Sequence, residues 1–221
     1  MIYVGIDISV NSTAVTILKD DFYYFLNYTT KKPNYKWVKK TKDIINYSYL
    51  KFGYKDVEGF SDKLIQKIKD YDDYSNLIVS ELKQIGDEFI ISIEGYNYGL
   101  VTTDSIIDIS ELSSIIKMKL INSFPTSKIF LIPPKSVKIN ACKMVYKVKD
   151  GEKVVRNERG IAGGSFDKRD MLLAYYKTED NNNLKDFLIE NKEMLLSMKS
   201  VPKPFDDVID SIWLCKMSKS I

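Results

Sequence analysis

Four acidic side chains stand where an acid needs a physical reason. Asp7 closes the apolar run IYVGID, Glu94 closes the apolar run FIISIE, and Asp207 and Asp210 lie three apart in DDVID, far along the chain. A carboxylate at a buried strand is costly to ionise unless a partner or a cation meets it. A spacing of three puts Asp207 and Asp210 on one face of a helix. Each acid alone also has an ordinary reading: Asp7 as a turn former, Glu94 as a solvated strand end, and DDVID as first-turn acids facing a helix dipole. Asp206, following Pro204, is assigned to the helix N-cap. In combination, the other four can meet if the late helix packs on the sheet beside the two strand ends. Gathered carboxylates raise one another's pKa, and divalent cations remove that penalty. Oxygen-only ligands favour Mg²⁺, with Mn²⁺ as a substitute. Two such ions about 4 Å apart can activate a water and stabilise the departing oxygen in phosphodiester cleavage.

Other chemistries are closed off by composition. The 221 residues include no histidine, which removes Ser-His-Asp and Cys-His catalysis and every imidazole-ligated metal. Cys142 and Cys215 are too few for a disulfide framework or a structural zinc site. The net charge of +3 is small but unevenly spread. Residues 31 to 55 carry eight lysines against Asp43, residues 56 to 94 carry ten acids against four lysines, and residues 135 to 160 turn basic again. Two basic blocks around an acidic one suit a polyanionic partner. No apolar run approaches the roughly 20 residues of a membrane span, and MIYVGIDIS reads as a strand rather than a leader, so an intracellular, cytoplasmic protein with no membrane partner is expected.

The elements that must place these acids follow from hydrophobic pattern. IYVGIDIS, TAVTIL and FYYFLNY are three strands joined tightly enough for an antiparallel meander. The lysine-rich stretch from Lys31 to Tyr54 has no clean period and reads as an irregular insertion with one short helix. Helical spacing runs from Ser61, a candidate N-cap, to Lys83. Phe89 to Ile93 is a buried strand, residues 107 to 123 a helix, and KIFLI a fifth strand. KMVYKVKDGEKVVRNE alternates about Asp150-Gly151, the strongest hairpin signal in the chain. Helices are expected over 168–176, 184–196 and 206–217. One domain, 1–221, with insertions at about 31–58 and 143–158, accounts for the length.

In order along the chain, GIDIS with NSTAV, the strand ending in IEG, PPKSVK, GGSFDKRDM and DDVIDSIW resemble the motifs of the RuvC-type Holliday-junction resolvases of the ribonuclease H-like superfamily. The resemblance implies an α/β fold with a five-stranded mixed sheet, an antiparallel β1–β3 meander followed by parallel strands, and flanking helices. The basic hairpin is an addition to it. It also implies a metal-dependent endonuclease for four-way or other branched DNA, acting as a homodimer with two Mg²⁺ ions on Asp7, Glu94, Asp207 and Asp210. Lys168 and Lys138 map near the scissile phosphate or the junction backbone, Lys135 and Arg169 beside the DNA, and Tyr96 and Tyr98 at the junction core or in ordinary loop packing. The helix at 107–123 is apolar enough to be the dimer contact and equally suited to covering the sheet. The aromatics Tyr35, Trp37, Tyr47, Tyr49, Phe52 and Tyr54 of the first insertion are stacking platforms or packing residues. Two other readings remain open: a non-catalytic DNA binder on the same fold, and an actin-like nucleotide phosphotransferase, which opens similarly but normally needs two lobes.

Overall fold

Strand β1 (Ile2–Asp7) is the centre of the sheet because both its faces are covered, which is why its sequence barely alternates. The computed structural model describes the chain apart from residues 31, 33, 34, 96–102 and 149–152, and gives only the backbone of 103–105. Strands β2 (Ser12–Lys19) and β3 (Phe22–Thr29) complete the antiparallel meander, turning at Asp20 and Asp21, both in the left-handed region. On the other side of β1 lie β5 (Phe89–Glu94) and β6 (Lys128–Ile132), both parallel to it. The order β3-β2-β1-β5-β6 with only β2 antiparallel is the ribonuclease H-like arrangement.

Among the described residues the sheet has six strands rather than five. The extra one, β4 (Ile45–Tyr49), pairs in parallel with β3 at the edge and comes from the insertion expected to be irregular. Its INYSY sequence buries Ile45 and leaves Asn46 and Tyr49 exposed, the half-covered pattern of an edge strand too short to register as a period. The insertion also holds the expected helix, α1 (Lys36–Thr41), and a 3₁₀ turn at Gly53–Asp56. Of its aromatics, Trp37, Phe52 and Tyr54 are buried, Tyr47 packs half-buried against the core, and Tyr35 and Tyr49 stay exposed.

Helix α2 (Phe60–Ile85) starts from Gly59, whose φ of 87° no other residue adopts cheaply, so Ser61 is not its cap. It pairs with α3 (Thr103–Ser123) over one face of the sheet, burying Tyr71, Ile78 and Leu82 with Val4, Ile6, Ile91, Leu112 and Leu120. The other face carries α4 (Pro134–Val145), α5 (Lys168–Tyr176), α6 (Asn183–Glu190), α7 (Lys192–Ser197) and α8 (Phe205–Ser220). The single helix expected over 184–196 is therefore two, broken at Asn191.

The hairpin expected around Asp150-Gly151 is corrected in part. Its first arm, Lys143 to Val145, is the last turn of α4, which Pro134 opens and whose Val137, Ala141 and Cys142 are buried at helical spacing. The short alternation beyond Met144 only mimicked a strand. Among the described residues past Val145, the sole strand-like feature is an isolated bridge between Arg156 and Ala162, and the turn itself lies outside the described residues.

Candidate active site

Period-two alternation decides which face of the sheet each strand-end acid shares. Ile2, Val4 and Ile6 point to the α2–α3 side, so Tyr3, Gly5 and Asp7 face α8. In β5, Phe89, Ile91 and Ile93 take the α2–α3 side, and Ser92 and Glu94 face α8. Because β1 and β5 are parallel with Ile6 opposite Ile93, Asp7 and Glu94 are neighbours at the carboxyl ends of adjacent strands, about 4.8 Å apart in backbone. The two carboxyl groups are close enough to influence each other's ionisation.

Helix α8 comes down on these acids because the sheet beneath it is small and polar. Gly5, Ala14, Thr16 and Ser92 face Ser211, Cys215 and Ser218, which recur at i, i+4 and i+7. Thr16 and Ser211 share a hydroxyl hydrogen bond of 2.7 Å, Ser218 donates to the Val4 carbonyl at 2.9 Å, and its Oγ is 2.8 Å from that of Ser92. One turn before Ser211, the same stripe carries Asp207, with Asp210 beside it, and both are buried. Asp7 feels the charges of Glu94, Asp210 and Asp207 together. The four acids named from the sequence are thus brought together from β1, β5 and α8.

Asp206 is not the helix cap. Pro204 occupies that position, no side chain caps the helix, and Asp206 lies in the first turn, 3.2 Å from the Lys203 ammonium. A proline directly before Phe205 leaves no cap side chain, so the acid moves inward.

The electrostatics are those of crowded carboxylates. Burial raises the pKa of Asp7, and the charges of Glu94 and Asp210 raise it further. Glu94 is pushed up to about 7, again by burial first and then by Asp210. Burial also raises Asp207, with Asp206 adding and Lys203 opposing, and raises Asp210 against the pull of Lys168. Two lysines lean in. Lys168, at the start of α5, bonds Asp210, and Lys203 donates to Asp207 at 2.6 Å. Burial would lower the Lys168 pKa, yet the Asp210 and Asp7 charges raise it overall. Lys138 on α4 is near enough to favour the ionised forms of Glu94 and Asp210.

Among the described residues no group of three acids is gathered tightly enough to hold an ion as it stands. The Lys168 and Lys203 ammonium groups on Asp210 and Asp207 take up charge that a dication would otherwise meet. The donor set still fits a hard divalent cation. All four ligands would be carboxylate oxygens, and Asp207 Oδ2 is buried without a hydrogen-bond partner.

The remaining sequence candidates fall around this cluster. Arg169 donates to the Leu196 carbonyl, tying α5 to α7. Lys135 lies on α4 against the glycine turn, where a Cβ on Gly164 would come 3.0 Å from its Cε. Tyr96 and Tyr98 lie outside the described residues. Lys203 was not picked out from the sequence. Its only signal there is its place three and four residues before two acids, which is also what an ordinary surface ion pair looks like.

No protein-family model matches the chain, and no curated protein matches it. Among solved structures it is similar to Thermus thermophilus RuvC in complex with a Holliday junction substrate, at 8% identity and a TM-score of 0.48, over 97% of this chain and 90% of that one. A second Thermus thermophilus RuvC structure aligns at 9% identity and 0.48, over 97% and 91%. The yeast mitochondrial Holliday junction resolvase Ydc2 aligns at 11% identity and 0.44, over 96% of this chain and 75% of its own. This is a likeness of overall fold.

The raised Glu94 pKa has a measurable consequence. Relative to an ordinary glutamate at 4.5, a folded-state value of about 7 means the native protein holds more protons than the unfolded chain between those pH values. Metal-free stability therefore falls as pH rises through that window. Glu94→Gln is expected to flatten this decline, seen by denaturant unfolding at pH 5, 6, 7 and 8. An equally steep decline in the variant would mean Glu94 does not titrate there.

Proposed function

We propose that this chain is a metal-dependent, structure-selective DNA endonuclease that resolves four-way junctions. The observation that carries the reading is the convergence of the buried Asp7, Asp207 and Asp210 with the half-buried Glu94 at one end of the sheet, all with raised pKa values. Such an assembly opposes folding unless cations or a reaction require it. The substrate class comes from the ordered motifs of the sequence, which resemble those of junction resolvases.

In this reading the four carboxylates hold two Mg²⁺ ions, which supply an activated water and neutralise charge on the scissile phosphate. The chain's own residues do the rest. The backbones of Asp7 and Glu94 are fixed by strand pairing, and those of Asp207 and Asp210 by a helix seated on glycine and serine, so regular elements carry all four carboxylates. Lys168 and Lys138 place positive charge at the rim, where the phosphate's negative charge must be accommodated. Lys135 and Arg169 extend that charge along α4 and α5 toward the duplex arms.

Matched cuts in a four-way junction call for a twofold homodimer. Exposed apolar residues support α2 together with α3 as the contact: Phe60, Leu64 and Ile68 on one helix, Ile107, Met118 and Ile121 on the other. Among the described residues no helix is long and apolar enough to cross a membrane.

The test compares labelled four-way, Y-shaped and linear DNA with Mg²⁺ and with EDTA. Cutting of the junction in Mg²⁺ alone is expected. Equal cutting of linear duplex would remove the junction preference and keep the nuclease. Binding that is the same with EDTA, and never followed by a nick, would favour the non-catalytic reading, to which the lysine-paired acids lend some support.

A further inference from the structure

Beside the acids, between α1 and the segment from Met198 to Lys203, lies a cleft of about 740 Å³, within the range of about 300–1,000 Å³ typical of sites for small ligands and too small for a duplex. Its composition has two parts. Trp37, Met198, Val201 and Pro202 give it apolar walls, and Tyr35 stands at the rim with 36% of its surface exposed. Lys168, Arg169, Lys199 and Lys203 also line it, and the Lys36 and Lys40 ammonium groups lie 5.8 and 5.2 Å from the centre of the Trp37 ring.

Two acids line the cleft against these cations. Asp167 is engaged as the cap of α5, accepting from the Asp170 amide at 2.8 Å. Asp206 is held by the Lys203 ammonium at 3.2 Å, and its other carboxylate oxygen is buried rather than open to the cleft. Apolar walls, an aromatic rim and an excess of cations together match a nucleotide: a base to stack and a phosphate to neutralise.

We propose that this cleft receives one unstacked nucleotide of the DNA strand beside the cleavage point. The inference rests on the endonuclease reading and adds to it the place where the strand goes. Location is what links the two. Lys168 and Lys203 line the cleft and also bond Asp210 and Asp207, so its occupant is separated from the acid cluster by a single side chain. Helix α1, which borders the cleft through Trp37, belongs to the lysine-rich segment at 31–58. Opening a four-way junction at its centre frees bases from their stacks, and a cleft that captures one of them holds the strand in register for cutting.

Ser200 lines the cleft and is exposed, so Ser200→Trp fills it from the rim without touching an acid; Tyr35→Ala removes the aromatic. Both variants are compared with wild type on an intact four-way junction and on junctions carrying one abasic site at each position within two nucleotides of the cut. Single-turnover cutting in Mg²⁺ and junction affinity in EDTA are both measured. On the intact junction each variant is expected to lose roughly 10-fold in at least one of the two, the size of one base-stacking contact. At one abasic position wild type should fall to the level of the variants, and the variants should fall no further.

Abasic sites that never affect wild type, or losses from variant and abasic site that multiply, would overturn the proposal. Thermal unfolding of each variant monitors folding, and Tyr35→Ala carries the comparison if Ser200→Trp unfolds. A wild type that binds junctions without cutting them would sink the endonuclease reading separately, and the affinity measurements would still judge the cleft.

Discussion

Asp7→Asn is expected to abolish DNA cleavage while making the metal-free protein more stable. The two effects have one cause. Asp7 is buried at the carboxyl end of β1, with the charges of Glu94, Asp210 and Asp207 all raising its pKa and only Lys168 opposing them. An asparagine of the same shape keeps the strand and removes one unit of that repulsion, so the native state gains, by roughly 2–4 °C in melting temperature for each kcal/mol relieved. The same substitution takes away a central ligand oxygen. Cutting in Mg²⁺ should fall by about 1,000-fold or more, the scale of losing transition-state charge stabilisation. The rise in melting temperature that Mg²⁺ or Ca²⁺ gives the wild type should shrink with it. Differential scanning with and without cation, beside a cleavage assay, reads all three. A variant that is less stable without metal, or that cuts at the wild-type rate, would show that Asp7 is an ordinary strand-end residue.

Gly5→Ala is the second large effect, and it acts through packing. A Cβ at this position would lie 2.1 Å from the Ser211 carbonyl oxygen and 2.2 Å from the Cys215 amide nitrogen. Both are backbone atoms of α8, so no side chain can rotate away, and the helix must lift from the sheet. A loss of about 3 kcal/mol or more is expected, lowering the melting temperature by roughly 6–12 °C. Lifting α8 also pulls Asp207 and Asp210 from Asp7 and Glu94, so activity should fall by more than the unfolded fraction explains. Gly53→Ala is the control: there a Cβ meets only the Asp70 and Gln66 side chains at 3.5 Å, an ordinary contact, and unfolding should hardly change. If Gly5→Ala melts with the Gly53 variant, α8 is not seated on β1 as described.

Much of the scaffold was legible in the chain because it is local. The three-strand meander, β5 and β6, and the helices near 61–83, 107–123, 168–176 and 206–217 all show their period within a dozen residues. Strand β4 was missed for the opposite reason: an edge strand of five residues, lysine-rich around it, has no period to show, and only β3 makes it a strand. The α4 terminus was misread because Met144 to Val148 alternates by chance, while the buried positions that define the helix lie upstream at Val137 and Ala141. Asp206 was misplaced because a cap is judged from one residue's type, and Pro204 had already taken the position.

The amino-acid order by itself determined which acids could matter, since an apolar run that ends in Asp7 or Glu94, and a spacing of three between Asp207 and Asp210, are properties of neighbouring residues. It also determined that no metal here would be held by imidazole, because histidine is absent. Only the tertiary structure decided that α8 lies against Gly5, that Lys203 meets Asp207 and Lys168 meets Asp210, and that α1 borders a cleft beside them. Those contacts join residues as much as two hundred positions apart, and they depend on the volume and backbone approach of whole elements, which no local window of sequence contains.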